Sequence, residues 1–215
     1  MSSNVRLCHR HAQPLLAFCC ALLACAAALV GQGKQFLTPK AALALAFPDC
    51  KVERTRHVLS DAHKLRVKKL GGGEVRRSMV YAYEARKGGK LVGTAWFDRH
   101  KVRSKQELLM VVVDPRGKVR RIEMVAFEEP LDYIPRDAFY EQFLGRPLSA
   151  DLSVKRAITP VAGATLTVRA TLQAVRRVLA THQVIYPKQA ARPKGPAPSK
   201  KASNSPAAAF RGARQ

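Results

Sequence analysis

Gly163, Ala164, Thr165, Leu166 and Thr167 run directly into a stretch with helical periodicity. At about 100° per residue, Val168, Leu172, Val175 and Leu179 form one apolar stripe. A helix start carries unpaired N–H groups and the positive end of the helix dipole, so it suits an anion. Thr165 falls in the first turn, Gly163 lets the backbone come close to a phosphate, and Ala164 crowds nothing. Arg169 sits one turn further along on the face of Thr165, and helical side chains lean back toward the N-terminus. This is the chemistry of a phosphate-holding helix terminus with a hydroxyl in it. The same three residues, Gly-Ala-Thr, also occur as ordinary turn chemistry, so taken alone they leave both readings open.

The stretch resembles the flavinylation motif of the FMN-binding domain family, which includes flavin-carrying subunits of the sodium-translocating NADH:quinone oxidoreductase and the Rnf complex. That motif runs Asp-x-x-(Ser/Thr)-Gly-Ala-(Thr/Ser), and Gly163, Ala164 and Thr165 match its last three positions. Thr159 stands where the family has Asp, and Ala162 where it has Ser or Thr. Ala162 thereby lacks an oxygen expected to cap the helix, typically worth about 1 kcal/mol. Segments 36–48, 96–103, 109–117 and 127–135 resemble one branch of the same family, exported single-domain FMN-binding proteins. The resemblance covers roughly residues 36–181. It implies FMN as cofactor, joined to Thr165 by a phosphoester bond that a separate Mg²⁺-dependent flavin transferase makes from FAD. Leu166 and Thr167 would present helix-start backbone, and Arg169 would add charge to the phosphate. Given the two departures, covalent and non-covalent flavin both stay open.

Two more residues are candidates for the flavin ring. His100 lies in a segment where the resemblance includes a histidine; it contacts the ring or caps a strand end. Tyr133, between Pro130 and Pro135, belongs to a rigid loop that supplies a flat wall or covers the sheet. Glu128 and Glu129 are adjacent, so on a strand they point to opposite faces and form no paired acid–base device. No His pair with a carboxylate has zinc-ligand spacing, so no metal is expected. Hydrolase, P-loop and dinucleotide fingerprints do not occur, and Gly71 to Gly73 fit a helix end better than a phosphate loop. No catalytic residue is assigned; an electron carrier with an unknown redox partner is expected rather than a self-sufficient reductase.

The elements that must hold these residues follow from periodicity and punctuation. Thr38 and Pro39 open a helix to about Phe47, and Ser60 and Asp61 open another to about Leu70. Strands are expected over 79–86 and 91–98 around a Gly-Gly turn, and over 108–113 and 119–127 around Asp114 to Gly117. A helix over 136–144 ends at Gly145, and the helix after Thr165 comes last. The fold class is α+β, an antiparallel sheet with flanking helices.

Residues 1–35 are expected to be a signal peptide or membrane anchor, 36–186 the FMN-binding domain, and 187–215 a disordered basic tail. Arg6 and Arg10 precede seventeen uncharged residues, 14–30, a positive flank that sends the domain outward to the periplasmic face of the inner membrane. Cys25 ends a loose lipoprotein-type match, and four of the five cysteines lie in this leader. Only Cys50 remains in the domain, a half-buried structural thiol in expectation, so no internal disulfide framework is possible. Between Asp49 and Asp151, 22 Lys and Arg face 15 acids; from Leu152 onward there are twelve cations and no acid. The basic tail suits anionic lipid, an acidic partner or no specific target; aromatic residues are not interleaved with it, and no nucleic-acid partner is expected. Two rival functions remain: a basic membrane-surface or polyanion-binding module without flavin, and a flavoenzyme acting on a diffusible substrate.

Overall fold

The computed structural model describes residues 34–187; the expected leader up to residue 33 and the expected basic tail from residue 188 lie outside them. Six antiparallel strands form one sheet: β1 Lys34–Gln35, β2 Lys51–Val58, β3 Met79–Lys87, β4 Lys90–Lys101, β5 Gln106–Val113 and β6 Val119–Phe127. Their order across the sheet is β1-β6-β5-β4-β3-β2. The helices are α1 Pro39–Ala46, α2 Asp61–Gly71, α3 Asp137–Glu141 and α4 Thr165–Ile185. The fold is therefore α+β, with helices flanking an antiparallel sheet. Lys34 and Gln35, which the sequence boundary placed in the leader, pair with Phe127 and Ala126.

Alternation along the strands divides the core. Trp96, Leu109, Val111 and Val113 point to the face covered by α4, where Val168, Leu172, Val175 and Leu179 are all buried. Ala95, Met110 and Val112 point to the other face, where Ala42, Ala46 and Phe47 from α1 and the residue after it cover them. Trp96 is core, and its indole N–H donates to His182 Nδ1 at 3.3 Å. Cys50 is half-buried, its thiol 3.5 Å from the Pro48 carbonyl oxygen.

The helix starts follow their capping residues. Thr38 Oγ1 accepts from Ala41 N–H at 3.1 Å, and Ser60 Oγ from His63 N–H at 3.2 Å. α2 ends on Gly72 in the left-handed conformation. Gly71 meets α4 so closely that a Cβ there would lie 3.0 Å from Ala180 Cβ and from the Arg176 carbonyl oxygen. That contact locks α2 against α4.

Three elements differ from expectation. β2 was not foreseen, because its Lys, Glu, Arg and His residues mask the strand pattern on an edge. β4 runs on to Lys101 and β5 begins at Gln106, since His100 pairs with Glu107 across the ladder and charged side chains compensate each other there. The helix expected over 136–144 is α-helical only over Asp137–Glu141; beyond it, Phe143 and Leu144 bond three residues back, to Tyr140 and Glu141.

Candidate functional site

The chain enters α4 through Gly163, whose φ of 81° is left-handed and suits glycine. A Cβ there would meet open space, so the glycine serves the backbone turn rather than clearance. Ala164 is the N-cap, without a side-chain capping bond, and is itself buried in the core. The cap thus falls two residues after Ala162, where the sequence placed it; the left-handed Gly163 delays the helix start. Thr165 is the first helical residue, and the first intrahelical bond runs from Val168 N–H to Ala164 O at 2.9 Å. The N–H groups of Thr165, Leu166 and Thr167 precede that bond and lack an acceptor within the helix.

A cavity of about 220 Å³ opens at this helix start. Gly163, Ala164, Thr165, Leu166 and Thr167 form one wall; Val102 and Arg103 of the β4–β5 turn, with Glu129 and Tyr133 after β6, complete it. Thr167 is buried, and its hydroxyl has no hydrogen-bond partner among the described residues. A buried polar group without a partner costs free energy, so this hydroxyl is a vacant donor beside the helix start. Thr165 is exposed, and Leu166 and Tyr133 are 48% and 37% exposed at the cavity. Tyr133 is therefore a wall of this cavity and not a core aromatic over the sheet.

Glu129 shapes the opposite wall. Its Oε1 accepts from the backbone N–H groups of Arg103 (3.2 Å), Ser104 (2.6 Å) and Lys105 (2.7 Å), and from Ser104 Oγ (3.1 Å). Burial raises the Glu129 pKa, but these donors outweigh burial and hold the carboxyl below its ordinary value. β6 ends at Phe127, so Glu128 and Glu129 are not on a strand; Glu128 Oε2 accepts from Gln106 N–H at 3.2 Å, and both carboxylates secure one turn. The sequence reading missed Glu129, Arg103 and Val102 as cavity walls. Their only signal was position, inside two segments carrying the family resemblance.

His100 and Arg169 stand apart from the cavity lining. Arg169 is exposed one turn along α4, while Arg103 is the cation in the wall. His100 belongs to a buried ionic cluster between α4 and the sheet. Its Nδ1 lies 3.0 Å from Asp98 Oδ1 and its Nε2 2.9 Å from Glu107 Oε2. Arg177 on α4 donates to both Asp98 oxygens, at 2.8 and 2.6 Å. Burial lowers the His100 pKa, but Asp98 and Glu107 outweigh that and raise it to about 9. Burial raises the Asp98 pKa, yet bonds from His100 and Arg177 leave it lowered; for fully buried Glu107 burial prevails and the pKa is raised. Tyr140, whose own hydroxyl pKa burial raises, feels the charge of Glu107.

A shallower groove of about 540 Å³ lies between α1 and β3, lined by Leu43, Phe47, Cys50, Val52 and Tyr83 among others. Lys40 of the first turn of α1 lines it, but that helix start is capped by Thr38, and the groove includes none of the buried unpartnered side-chain atoms found among the described residues. Among those residues no group of three or more His, Cys, Asp or Glu is placed to hold a metal ion, and no helix is long and apolar enough to cross a membrane. Comparison of the chain with protein-family models gives no match, and comparison with curated proteins gives none either.

Proposed function

We propose that this chain is an FMN-binding electron carrier, exported and held at the periplasmic face of the inner membrane, with Thr165 as the flavin attachment point. The observation that carries the reading is the cavity itself. It joins Gly163 to Thr167 with Tyr133 and Arg103, segments far apart in sequence that separately resemble the FMN-binding domain family.

The residues present fit the phosphate end of FMN. Three helix-start N–H groups supply donors at one small space that Arg103 and Thr167, whose buried hydroxyl has no partner among the described residues, also line. At about 220 Å³ the space is smaller than the roughly 300–1,000 Å³ of pockets that enclose a whole ligand. It would therefore hold the phosphate end, and exposed Tyr133 and Leu166 would be the residues offered to the ring. Thr165 is exposed, so a flavin transferase can reach its hydroxyl. FMN, when bound, would supply the electron acceptance and release; the chain would supply seating and orientation. A flavoenzyme would need a free acid or base at the cavity. The one carboxylate in the wall, Glu129, is already occupied by four donors.

The test is coexpression of the full chain with a flavin transferase, then denaturing electrophoresis under ultraviolet light. A fluorescent band that Thr165→Ala abolishes supports attachment there. Flavin that copurifies but leaves on denaturation supports the same site without the covalent bond. A band that persists in Thr165→Ala, or native protein without flavin, defeats the proposal.

A further inference from the structure

The structure also presents a surface suited to a membrane, away from the cavity and independent of any flavin. Val58 and Met79 pair directly across β2 and β3, so their side chains share a face, and they are 68% and 44% exposed. Along the same face follow the pairs Arg56–Tyr81 and Arg54–Tyr83. The Arg54 guanidinium carbon lies over the Tyr81 ring, 3.7 Å from its centroid, and the Tyr81 hydroxyl donates to Met79 Sδ at 3.1 Å. Exposed Arg76 and Arg77 immediately precede Ser78 and Met79. The helix on this face, α1, packs on β5 and β6 and leaves this end of the sheet open.

Charge accounting gives the surface a sign. The nearby acids are each matched: Asp61 by Lys64, Glu74 by Lys68 and Glu84 by Arg86. Arg54, Arg56, Arg76 and Arg77 stand in excess. At the same edge but on the opposite face of the sheet, Tyr186 OH donates to Glu84 Oε1 at 2.7 Å and lies 3.1 Å from Nε2 of His57, so the described chain ends behind the patch. The sequence continues from Lys188 with seven more Lys and Arg and no acid.

We infer that the Val58–Met79 tip, with the arginines beside it, docks onto an anionic phospholipid bilayer. Phosphates alone would call for cations only. Two apolar side chains held in water beside four arginines fit a surface whose headgroups are anionic and whose next layer is hydrocarbon. Tyr81 under Arg54 is suited to the boundary, with an apolar body and a polar tip.

The test is hydrogen exchange of the full chain on vesicles of phosphatidylcholine alone and on vesicles also containing phosphatidylglycerol. An apolar leader would hold the chain to both, so the readout is local protection of residues 54–60 and 76–81. Protection that needs phosphatidylglycerol and is lost at high salt is expected. Arg76→Gln with Arg77→Gln should weaken the phosphatidylglycerol-dependent component roughly thirtyfold, from about 1 kcal/mol per cation. Val58→Ser with Met79→Ser should weaken it too, with circular dichroism unchanged. Equal protection on both vesicles, protection on neither, or protection by a single-stranded oligonucleotide in place of vesicles would overturn the inference.

Discussion

Raising the pH from 6.5 to 9 should destabilise this protein through His100. The ring is 10% exposed between Asp98 and fully buried Glu107, and its pKa rises from 6.5 to about 9. The folded pKa lies above the unfolded one, so the folded state binds the proton more tightly. The resulting stabilisation is complete below pH 6.5 and fades as the pH climbs through about 9. At about 1.4 kcal/mol per pH unit, that window corresponds to roughly 3.5 kcal/mol as an upper bound. Deprotonation also leaves Asp98 and Glu107 facing Arg177 as the cluster's remaining strong cation, so loss of the proton unbalances a buried site. Urea unfolding at intervals across this range, for the native chain and for His100→Gln, checks it. The native chain should lose stability with pH while the variant, weaker at pH 6.5, changes much less. Parallel pH curves would refute the reasoning and show that the cluster holds no titrating proton.

Three other outcomes follow from the same geometry. Thr167→Val replaces a buried hydroxyl that bonds nothing, so unfolding stability should stay within about 1 kcal/mol while FMN retention in the non-covalent state falls at least tenfold, both measurable by urea titration and flavin fluorescence. Gly163→Ala meets no steric obstacle but forces a left-handed φ on a side chain, costing about 1–2 kcal/mol in urea unfolding and loosening the cavity wall. Phe143→Ala empties a fully buried site packed against Phe139, and calorimetry should register a loss of about 3–5 kcal/mol.

What the sequence disclosed depended on how each element is stabilised. α4 was legible because Val168, Leu172, Val175 and Leu179 answer to one apolar face, and α1 and α2 because Thr38, Ser60 and Gly72 mark their ends. β2 was not, since an edge strand of alternating charges is held by its ladder to β3 and by contacts such as Arg54 over Tyr81. The ends of β4 and β5 escaped for a related reason: His100 and Glu107 favour a strand only once each is opposite the other. At the site, Thr165, Thr167 and Tyr133 could be picked out by residue type and position, and the structure gathers them around one cavity. Glu129 could not, because its importance comes from backbone donors more than twenty residues earlier in the chain, which no local pattern reveals. Arg169, expected beside the phosphate, does not line the cavity, and the turn after β4 brings Arg103 into its wall.

The last helix of the described chain covers the middle of the sheet. Trp96, Leu109, Val111 and Val113 become buried only when α4, some fifty residues or more later, lies down on β4 and β5. Until then an emerging chain carries a strand assembly with a naked greasy side. Completion waits until α4 has been made, and contacts of such long sequence separation close slowly. A protein built in this order stays loose while most of its length is already made, which is the condition a chain needs if it is to be threaded through a narrow channel. The same order makes premature termination before α4 a direct route to aggregates.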